Sequence, residues 1–207
     1  MTIEVLYSDS SLVVVNKPCD MLSVPGRGPD KQDCLIKRIQ QQFPTARIVH
    51  RLDYATSGVM VLALSAASHR ALSIAFQNRQ TDKAYQAVVA GEVRESHGEI
   101  ELPLICDWEK RPLQKVCYEH GKAALTRWQR LDSEAGNSRL KLIPVTGRSH
   151  QLRVHSLEMG HPIIGDRFYA PPEIQQQSPR LLLHAEYLQF PHPDSGEAIS
   201  IEAPCPF

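Results

Sequence analysis

Apolar and polar residues alternate along two short stretches near the N-terminus, residues 3–7 and 12–15, with polar residues between them. Such alternation predicts two half-buried strands joined by a turn. Similar patterns recur later in the chain. They predict further strands over residues 83–90, 98–104, 125–131, 139–145, 181–190 and 199–201.

Helical spacing of apolar residues occurs in three places. It predicts one helix over residues 33–43 with Asp33 as its N-cap, a second over residues 65–79 capped by Ser65, and a third over residues 148–159. Strands interrupted by helices predict an α/β protein of the α+β type. We expect a mixed, mostly antiparallel sheet with flanking helices.

The stretch around Asp53 places charged residues between two apolar runs, residues 48–49 and 59–64. This pattern predicts a strand, a tight turn and a second strand, with Asp53 at the rim of the sheet and Arg51 on the same strand face. A carboxylate held there can lose part of its hydration and still reach a ligand, as a nucleophile or general base must. From these residues alone, the interpretation of Arg51 and Asp53 as solvated turn charges is favoured.

The composition is that of a globular protein, with 207 residues of which 42% are hydrophobic and 22% charged. We expect a single domain, with room for two lobes that share a sheet. The 23 basic and 23 acidic residues balance, which counts mildly against a nucleic-acid partner, because phosphate contacts supply much of the affinity. A basic face is still compatible with this balance, and basic residues dominate one stretch: Lys110, Arg111, Lys115, Lys122, Arg127 and Arg130.

Targeting and metal-binding signals are absent from the sequence. No apolar run approaches the length of a bilayer span, and the N-terminus lacks the pattern of a signal peptide. We therefore expect a cytoplasmic protein without a membrane partner. The five cysteines are scattered and odd in number, and the nine histidines show no metal-binding spacing, so no metal site is expected.

Residues 50–58 (HRLDYATSG) resemble the catalytic motif of the RluA-type RNA pseudouridine synthases. Three more motifs of that family follow in the same order: KAY at 83–85, GRSHQLRVH at 147–155 and RLLLHA at 180–185. Residues 102–108 and 115–119 are most similar to the dual-specificity members. The resemblance runs from about residue 3 onwards. It implies the pseudouridine synthase catalytic fold as one domain over residues 1–207. Many relatives also carry an N-terminal S4-type module, and we expect none here because the first predicted strand begins at residue 3.

The resemblance implies that Asp53 is the catalytic carboxylate, which attacks the sugar carbon, attacks the base or abstracts a sugar proton. Asp53 must stay ionised while partly buried, so a nearby cation is needed to favour its charged form. Arg153 is the implied cation, since a guanidinium fork holds one carboxylate geometry; a helix cap and a phosphate contact are the alternatives. Tyr85 is the implied pocket tyrosine, which stacks on uracil and helps to take the C5 proton, with core packing as its alternative.

A uridine inside folded RNA must be flipped out before it can react. The resemblance implies that Arg51 fills the gap left behind, with a surface salt bridge as the alternative. Leu183, or its neighbour Leu182, is the implied apolar wall for the base, or else a core residue. The histidines at positions 50, 150 and 155 are interpreted as hydrogen-bonding rather than catalytic residues. Further implied contacts to RNA or base are Lys83, Arg148 and His150.

Pseudouridine formation breaks the N-glycosidic bond of a uridine, turns the uracil and joins its C5 to the sugar. It needs no redox change and no external group, so no cofactor is expected. The leading hypothesis is a monomeric isomerase that acts on stem-loops of 23S rRNA and tRNA, read largely by shape. The alternatives are the same chemistry on one RNA class, a non-catalytic RNA-binding factor on the same scaffold, and a carboxylate-dependent glycosidase, which lacks a clear second acid.

Overall fold

The computed structural model describes residues 2–207. Within it the chain divides into two compact units. The first unit comprises the chain up to Lys83 together with His184–Pro206, and the second comprises Ala84–Leu183 with Phe207. The chain thus returns to its first unit after completing the second.

Short strands dominate the secondary structure. In chain order they are β1 (Glu4–Ser8), β2 (Leu12–Lys17), β3 (Arg47–Ile48), β4 (Ser57–Ala63), β5 (Asp82–Ala90), β6 (His97–Glu101), β7 (Leu104–Cys106), β8 (Gln114–Val116), β9 (Leu125–Glu134), β10 (Asn137–Pro144), β11 (Leu183–Pro191) and β12 (Ala198–Glu202). The helices are α1 (Leu35–Ile39), α2 (Ala66–Gln77), α3 (Gln151–Glu158) and α4 (Pro172–Gln175), and Pro29–Lys31 forms a turn of 3-10 helix. Over residues 2–207, none of the helices has the length and apolar character needed to cross a bilayer.

The first unit is built on a sheet whose central strand, β4, is entirely buried. β2 pairs antiparallel with β1 and with β4, while β4 pairs in parallel with β11 through Ser57 and His184. β3 adds to β4, and β12 adds to β11, both antiparallel. The side chains of β4 pack with Leu72 of α2 and Phe190 of β11. A continuous apolar run is what a strand covered on both faces requires.

The second unit contains an antiparallel sheet in the order β5, β10, β9, β6. β9 and β10 form its long hairpin, which turns at Ala135 and Gly136, both with positive φ. β7 and β8 form a separate two-stranded sheet. α3 packs against β8, β9 and β10, so the helix lies beside both sheets of the unit.

This architecture confirms the predicted fold class, because strands outnumber helices and most pairings within the units are antiparallel. The two N-terminal strands and the strand over residues 83–90 are present within two residues of the predicted ends. The N-cap of α2 is also confirmed, since Ser65 Oγ accepts a hydrogen bond from the amide of Ser68 at 3.0 Å. Local patterns were sufficient for these elements.

The first helix is shorter than predicted. α1 has Cys34 rather than Asp33 as its N-cap and ends at Ile39. The carboxylate of Asp33 instead accepts a hydrogen bond from Nε of Arg38 at 2.7 Å, so it does not cap the helix. A short helix, α4, is also present that is not among the three predicted helices.

The prediction that Arg51 and Asp53 share a strand face is wrong, and the third helix begins later than predicted. Residues 49–56 are irregular and β3 has only two residues, so Arg51 and Asp53 lie in a loop and not on one face of an extended strand. α3 begins at Gln151, three residues later than predicted, because the backbone of His150 is left-handed with φ of 53°.

Gly58 allows β4 to approach β11 closely. Its φ is +121°, and a Cβ at this position would lie 2.2 Å from the carbonyl oxygen of Ala185. We expect Gly58→Ala to lower the free energy of unfolding by ~3 kcal/mol or more, because both the backbone conformation and the strand contact would be strained.

Gly136→Ala is the matched control for this prediction. Gly136 also has a positive φ, +77°, but nothing lies within 4 Å of its Cβ position. Only the conformational cost of roughly 1–2 kcal/mol applies there. Urea denaturation of both variants measures the difference, and equal losses would show that the approach of β4 to β11 does not require a glycine.

Candidate active site

The loop that carries Asp53 is anchored through its main chain. The carbonyl oxygen of Leu52 accepts a hydrogen bond from Ser23 Oγ at 2.7 Å, and the amide of Thr56 donates to the carbonyl oxygen of Asp53 at 3.2 Å. Leu52 is buried and the Asp53 side chain is partly buried. The backbone on both sides of the carboxylate is therefore held in place.

A buried lysine ties the same loop to the end of β2. Lys17 is fully buried, and its Nζ donates to the carbonyl oxygens of Pro18 at 2.8 Å, Met21 at 2.8 Å and Tyr54 at 3.2 Å. Three carbonyls match the three donors of an ammonium group, which makes its burial tolerable. Tyr54 directly follows Asp53, so this cation stabilises the Asp53 loop. Sequence reasoning missed this role, although a lysine directly after an apolar strand was an available signal.

A buried hydrogen bond joins β4 and β11 where the two strands run in parallel. Ser57 Oγ lies 2.8 Å from Nδ1 of His184, and Nε2 of His184 lies 3.0 Å from the carbonyl oxygen of Ala203. Because a carbonyl only accepts, neutral His184 carries its proton on Nε2 and accepts from Ser57 through Nδ1. Residues from two of the sequence motifs thus stabilise the strand that follows the Asp53 loop.

His50 is a neutral, structural residue at the start of this loop. Its Nε2 accepts a hydrogen bond from the amide of Val61 at 3.2 Å, and its ring stacks on Phe76 with centroids 4.5 Å apart. Burial, and then the positive charge of Lys83, lowers the pKa of His50 from 6.5 to about 3. These contacts agree with the interpretation of His50 as a hydrogen-bonding residue.

Lys83 also lies next to Phe76, with Nζ 5.7 Å from the ring centroid. This is a cation–π distance. Burial lowers the pKa of Lys83 below its usual value of 10.5. A partly dehydrated ammonium group suits the pocket-edge or phosphate contact expected for Lys83, which stays a prediction.

Arg153 is almost fully buried in the first half of α3. Its Nε and Nη2 donate to the two carboxylate oxygens of Asp166 at 2.8 and 2.6 Å, and the exposed fractions of the two side chains are 4% and 1%. Such a fork fixes the plane of the guanidinium. Sequence reasoning missed Asp166, although a single acidic residue after the apolar pair 163–164 was a signal. The predicted pairing of Arg153 with Asp53 joins residues of different units and stays a prediction.

Arg148 and His150 lie just before α3 and are oriented by contacts within the second unit. Nδ1 of His150 lies 2.6 Å from the hydroxyl oxygen of Tyr169. Nε of Arg148, an exposed residue, donates to the carbonyl oxygen of Ala123 at 3.1 Å. The RNA contacts expected of Arg148 and His150 stay predictions.

Tyr85 and Leu183 differ in their exposure. Tyr85 lies on β5 opposite Leu142 of β10 and is partly buried, whereas Leu183 is 3% exposed. Burial of Leu183 fits the core-packing alternative, and the roles of both residues toward a base stay predictions.

Residues 104–122 expose aromatic side chains that sequence reasoning did not assign to RNA. Trp108 and Tyr118 are 67% and 78% exposed. The guanidinium carbon of Arg111 lies 3.3 Å from the centroid of the Trp108 ring, so one face of the indole is supported by a cation. Exposed rings beside basic side chains are typical of surfaces on which bases stack.

The predicted site residues divide between the two units. The first unit holds Arg51, Asp53 and Lys83, and the second holds Tyr85, Arg148, His150, Arg153 and Leu183. Among residues 2–207, no group of three or more histidine, cysteine, aspartate or glutamate side chains is placed to bind a metal ion.

Comparison with protein families identifies the class of protein. The family model for RNA pseudouridylate synthases matches residues 11–158. The structure of human RNA pseudouridylate synthase domain containing 1 is similar with a TM-score of 0.83 and 31% identity, covering 100% of this chain and 84% of that one. The chain therefore belongs to the RNA pseudouridine synthase family, as the sequence motifs predicted.

Individual relatives show which members of the family the chain resembles. The dual-specificity RNA pseudouridine synthase RluA of Yersinia pestis is 52% identical over 204 residues, which cover 98% of this chain and 99% of the relative. The protein of the same name from Pasteurella multocida is 48% identical over 206 residues, covering 99% and 94% of the two chains. The similarity to dual-specificity members expected from the sequence is confirmed.

The neutral state of His50 makes stability depend on pH. Its pKa of about 3 in the folded chain lies below the ordinary 6.5, so the unfolded chain takes up the extra proton as the pH falls below about 6.5. Stability should therefore decrease from about pH 6.5 toward pH 3, with a slope from this residue of up to ~1.4 kcal/mol per pH unit.

We expect His50→Gln to reduce that slope, because the glutamine oxygen can still accept the Val61 amide but does not titrate. Denaturant unfolding at several pH values between about 4 and 7.5 measures the slope. His120→Gln is the control, since the His120 side chain is 71% exposed. Identical slopes for wild type and His50→Gln would contradict the prediction.

Proposed function

We propose that this protein isomerises specific uridines to pseudouridine in stem-loops of 23S rRNA and tRNA. The observation that carries the proposal is the 52% identity to a dual-specificity RNA pseudouridine synthase over nearly the whole length of both chains. The anchored loop at Asp53 supports it, because a family catalytic motif is here held in one conformation. The cytoplasmic location and monomeric state expected from the sequence stay predictions.

The reaction is an internal rearrangement. The N-glycosidic bond of the target uridine breaks, the uracil turns within the site, a bond forms between C5 and the same sugar carbon, and the C5 proton leaves as N1 gains one. Substrate and product are isomers, so neither an oxidant nor a group donor is consumed. The protein must therefore supply a carboxylate, retain the detached base and accept a proton.

The proposed carboxylate is Asp53, which its motif and its anchored backbone support. Tyr85 is proposed to stack on the uracil and to assist removal of the C5 proton, and Arg153 to form an ion pair with the Asp53 carboxylate. These two assignments rest on the family motifs. The fork to Asp166 supports the second, because it gives the Arg153 guanidinium a fixed orientation.

The remaining proposed contacts serve the RNA. Arg51 is exposed, as a residue that fills the gap left by a flipped nucleotide must be. The other proposed contacts to RNA or base are Lys83, Arg148, His150 and Leu183. Trp108 and Tyr118 add exposed rings for stacking, each of which is worth ~1–3 kcal/mol per base in single-stranded RNA complexes.

Replacing Asp53 tests the proposed chemistry. We expect Asp53→Asn and Asp53→Ala to form no pseudouridine while they still bind RNA, because the carboxylate acts on the sugar or base and not on the phosphates. The assay incubates each variant with transcribed tRNA and 23S rRNA fragments, maps the modified uridines and measures RNA binding separately.

Asp30→Asn is the control, as Asp30 lies in the first unit on the exposed 3-10 turn. Activity of either Asp53 variant would remove Asp53 from the mechanism. Conversion of only one RNA by the wild type would restrict the substrate to one class. Binding without any conversion would favour a non-catalytic factor, and release of free uracil would favour a glycosidase.

Tryptophan fluorescence tests whether residues 104–122 contact RNA. Trp108 and Trp128 are the two tryptophans of the chain, and Trp128 is only 7% exposed. RNA is therefore expected to quench mainly Trp108. We expect Trp108→Phe to lose the quenching but to keep its affinity, and Trp108→Ala to bind RNA roughly tenfold more weakly.

Leu131→Ala is the control for these binding measurements, because Leu131 is also exposed, at 44%, in the same unit. Its affinity for RNA should match that of the wild type. Undiminished quenching in Trp108→Phe, or wild-type affinity in Trp108→Ala, would exclude Trp108 from the RNA interface.

A further inference from the structure

The ion pair between Arg153 and Asp166 is almost completely buried. The two side chains are 4% and 1% exposed. The free energy needed to remove two charges from water offsets much of the attraction between them. Apolar residues of similar volume therefore often stabilise a fold equally well. A buried fork that fixes direction as well as distance therefore points to a role in orientation.

Asp166 orients the surroundings of Arg153 as well as the guanidinium itself. Oδ1 of Asp166, which accepts from Nη2 of Arg153, also accepts hydrogen bonds from the amides of Phe168 at 3.0 Å and Tyr169 at 3.3 Å. The rings of these two residues lie 5.0 and 5.1 Å from the guanidinium carbon. The Asp166 carboxylate thus binds one edge of the Arg153 guanidinium. It also binds the main chain of the loop whose two aromatic rings contact that guanidinium.

The backbone leaves Asp166 little freedom. The preceding residue, Gly165, has φ of +75°, and a Cβ there would lie 1.9 Å from the carbonyl oxygen of Arg180. The amide of Asp166 donates to the carbonyl oxygen of Ile163 at 3.3 Å, and Ile163 bridges to Val89 of β5. The carboxylate therefore approaches Arg153 from a position set by the sheet of the second unit.

We propose that Asp166 is a positioning residue for the isomerisation, which aims the guanidinium of Arg153 through the two-bond fork. A guanidinium has five N–H donors in one plane, and Asp166 engages those on Nε and Nη2. The same fork sets the direction of the other donors. This inference rests on the proposed function, because it requires that Arg153 act in the reaction.

Asp166→Asn tests the fork with little change of shape. The amide nitrogen of asparagine would face a donor of Arg153, so one of the two bonds is lost. We expect kcat to fall roughly 100-fold, the scale of a misplacement of about 1 Å in an active site. The KM for RNA should change less than about twofold, because the Asp166 side chain is only 1% exposed and is not accessible to RNA. A purely structural residue would change the folded fraction and not the kcat of folded enzyme.

A double-mutant cycle shows whether Asp166 acts through Arg153. Arg153→Lys keeps a cation but cannot form the fork. We therefore expect Asp166→Asn to lower kcat strongly in the wild type and by less than about twofold in Arg153→Lys. If the double variant shows the product of the two single losses in kcat, the proposal is overturned. An Asp166→Asn enzyme with wild-type kcat would overturn it as well.

The concentration of active enzyme is taken from the stoichiometry of RNA binding, so unfolded protein does not enter kcat. If Asp166→Asn does not fold, Asp166→Glu replaces it in the cycle. The glutamate keeps the charge but displaces the fork by one methylene, and the same loss of kcat is expected. A folded Asp166→Glu enzyme with wild-type kcat would overturn the proposal as well.

Two controls separate position from stability. Asp132→Asn removes a carboxylate that lies 3.5 Å from Arg139 in the same unit, and it should leave kcat unchanged. Ser138→Ala removes a fully buried hydroxyl that bonds to the amide of Val93 at 2.9 Å, and it should lower the melting temperature without lowering kcat.

The outcomes also distinguish failure of this inference from failure of the proposed function. No pseudouridine from the wild type would contradict the function itself. Wild-type kcat in Arg153→Lys would contradict the role of Arg153. A strong loss in Arg153→Lys with no loss in Asp166→Asn would contradict the positioning role alone.

Discussion

The three hydrogen bonds from the Lys17 ammonium group hold together the part of the first unit that carries Asp53. Lys17 is fully buried at the end of β2, and its partners are the carbonyl oxygens of Pro18, Met21 and Tyr54. A buried charge is tolerable only when its donors are matched. Since Tyr54 follows Asp53 directly, the position of the proposed catalytic carboxylate depends on a cation that never needs to touch a substrate.

The second unit uses a buried charge in the same way. Arg153 is held by the carboxylate of Asp166, whereas Lys17 is held by main-chain carbonyls. The two parallel bonds to Asp166 fix the orientation of the guanidinium, while the three bonds from Lys17 fix the position of its ammonium group. Two histidines complete this division of roles. His50 and His184 each stabilise β4 through a hydrogen bond of one ring nitrogen. The charged side chains Lys17 and Arg153 instead hold or form part of the proposed catalytic groups. Polar groups with matched partners therefore hold the proposed functional residues in place within each unit.

Sequence patterns predicted the elements whose signals are local. The alternation that defines β1 and β2 and the Ser65 cap of α2 involve residues within a few positions of one another. The prediction of Asp33 as the N-cap of the first helix was wrong, because the carboxylate of Asp33 pairs with Arg38 instead. The third helix was predicted to begin at residue 148, but a left-handed residue at 150 delays the start of α3 to Gln151. Neither feature is visible in a hydrophobic pattern.

The sequence by itself determined the family, the fold class and the identity of the proposed catalytic residues, because ordered motifs and local periodicity are properties of the chain. Tertiary structure alone revealed the supports of those residues. Lys17 contacts Tyr54 across 37 positions, and Ser57 contacts His184 across 127. Asp166 meets Arg153 across a turn that only Gly165 allows. Buried charges need partners wherever the fold brings donors and acceptors together, and no local pattern specifies where that happens.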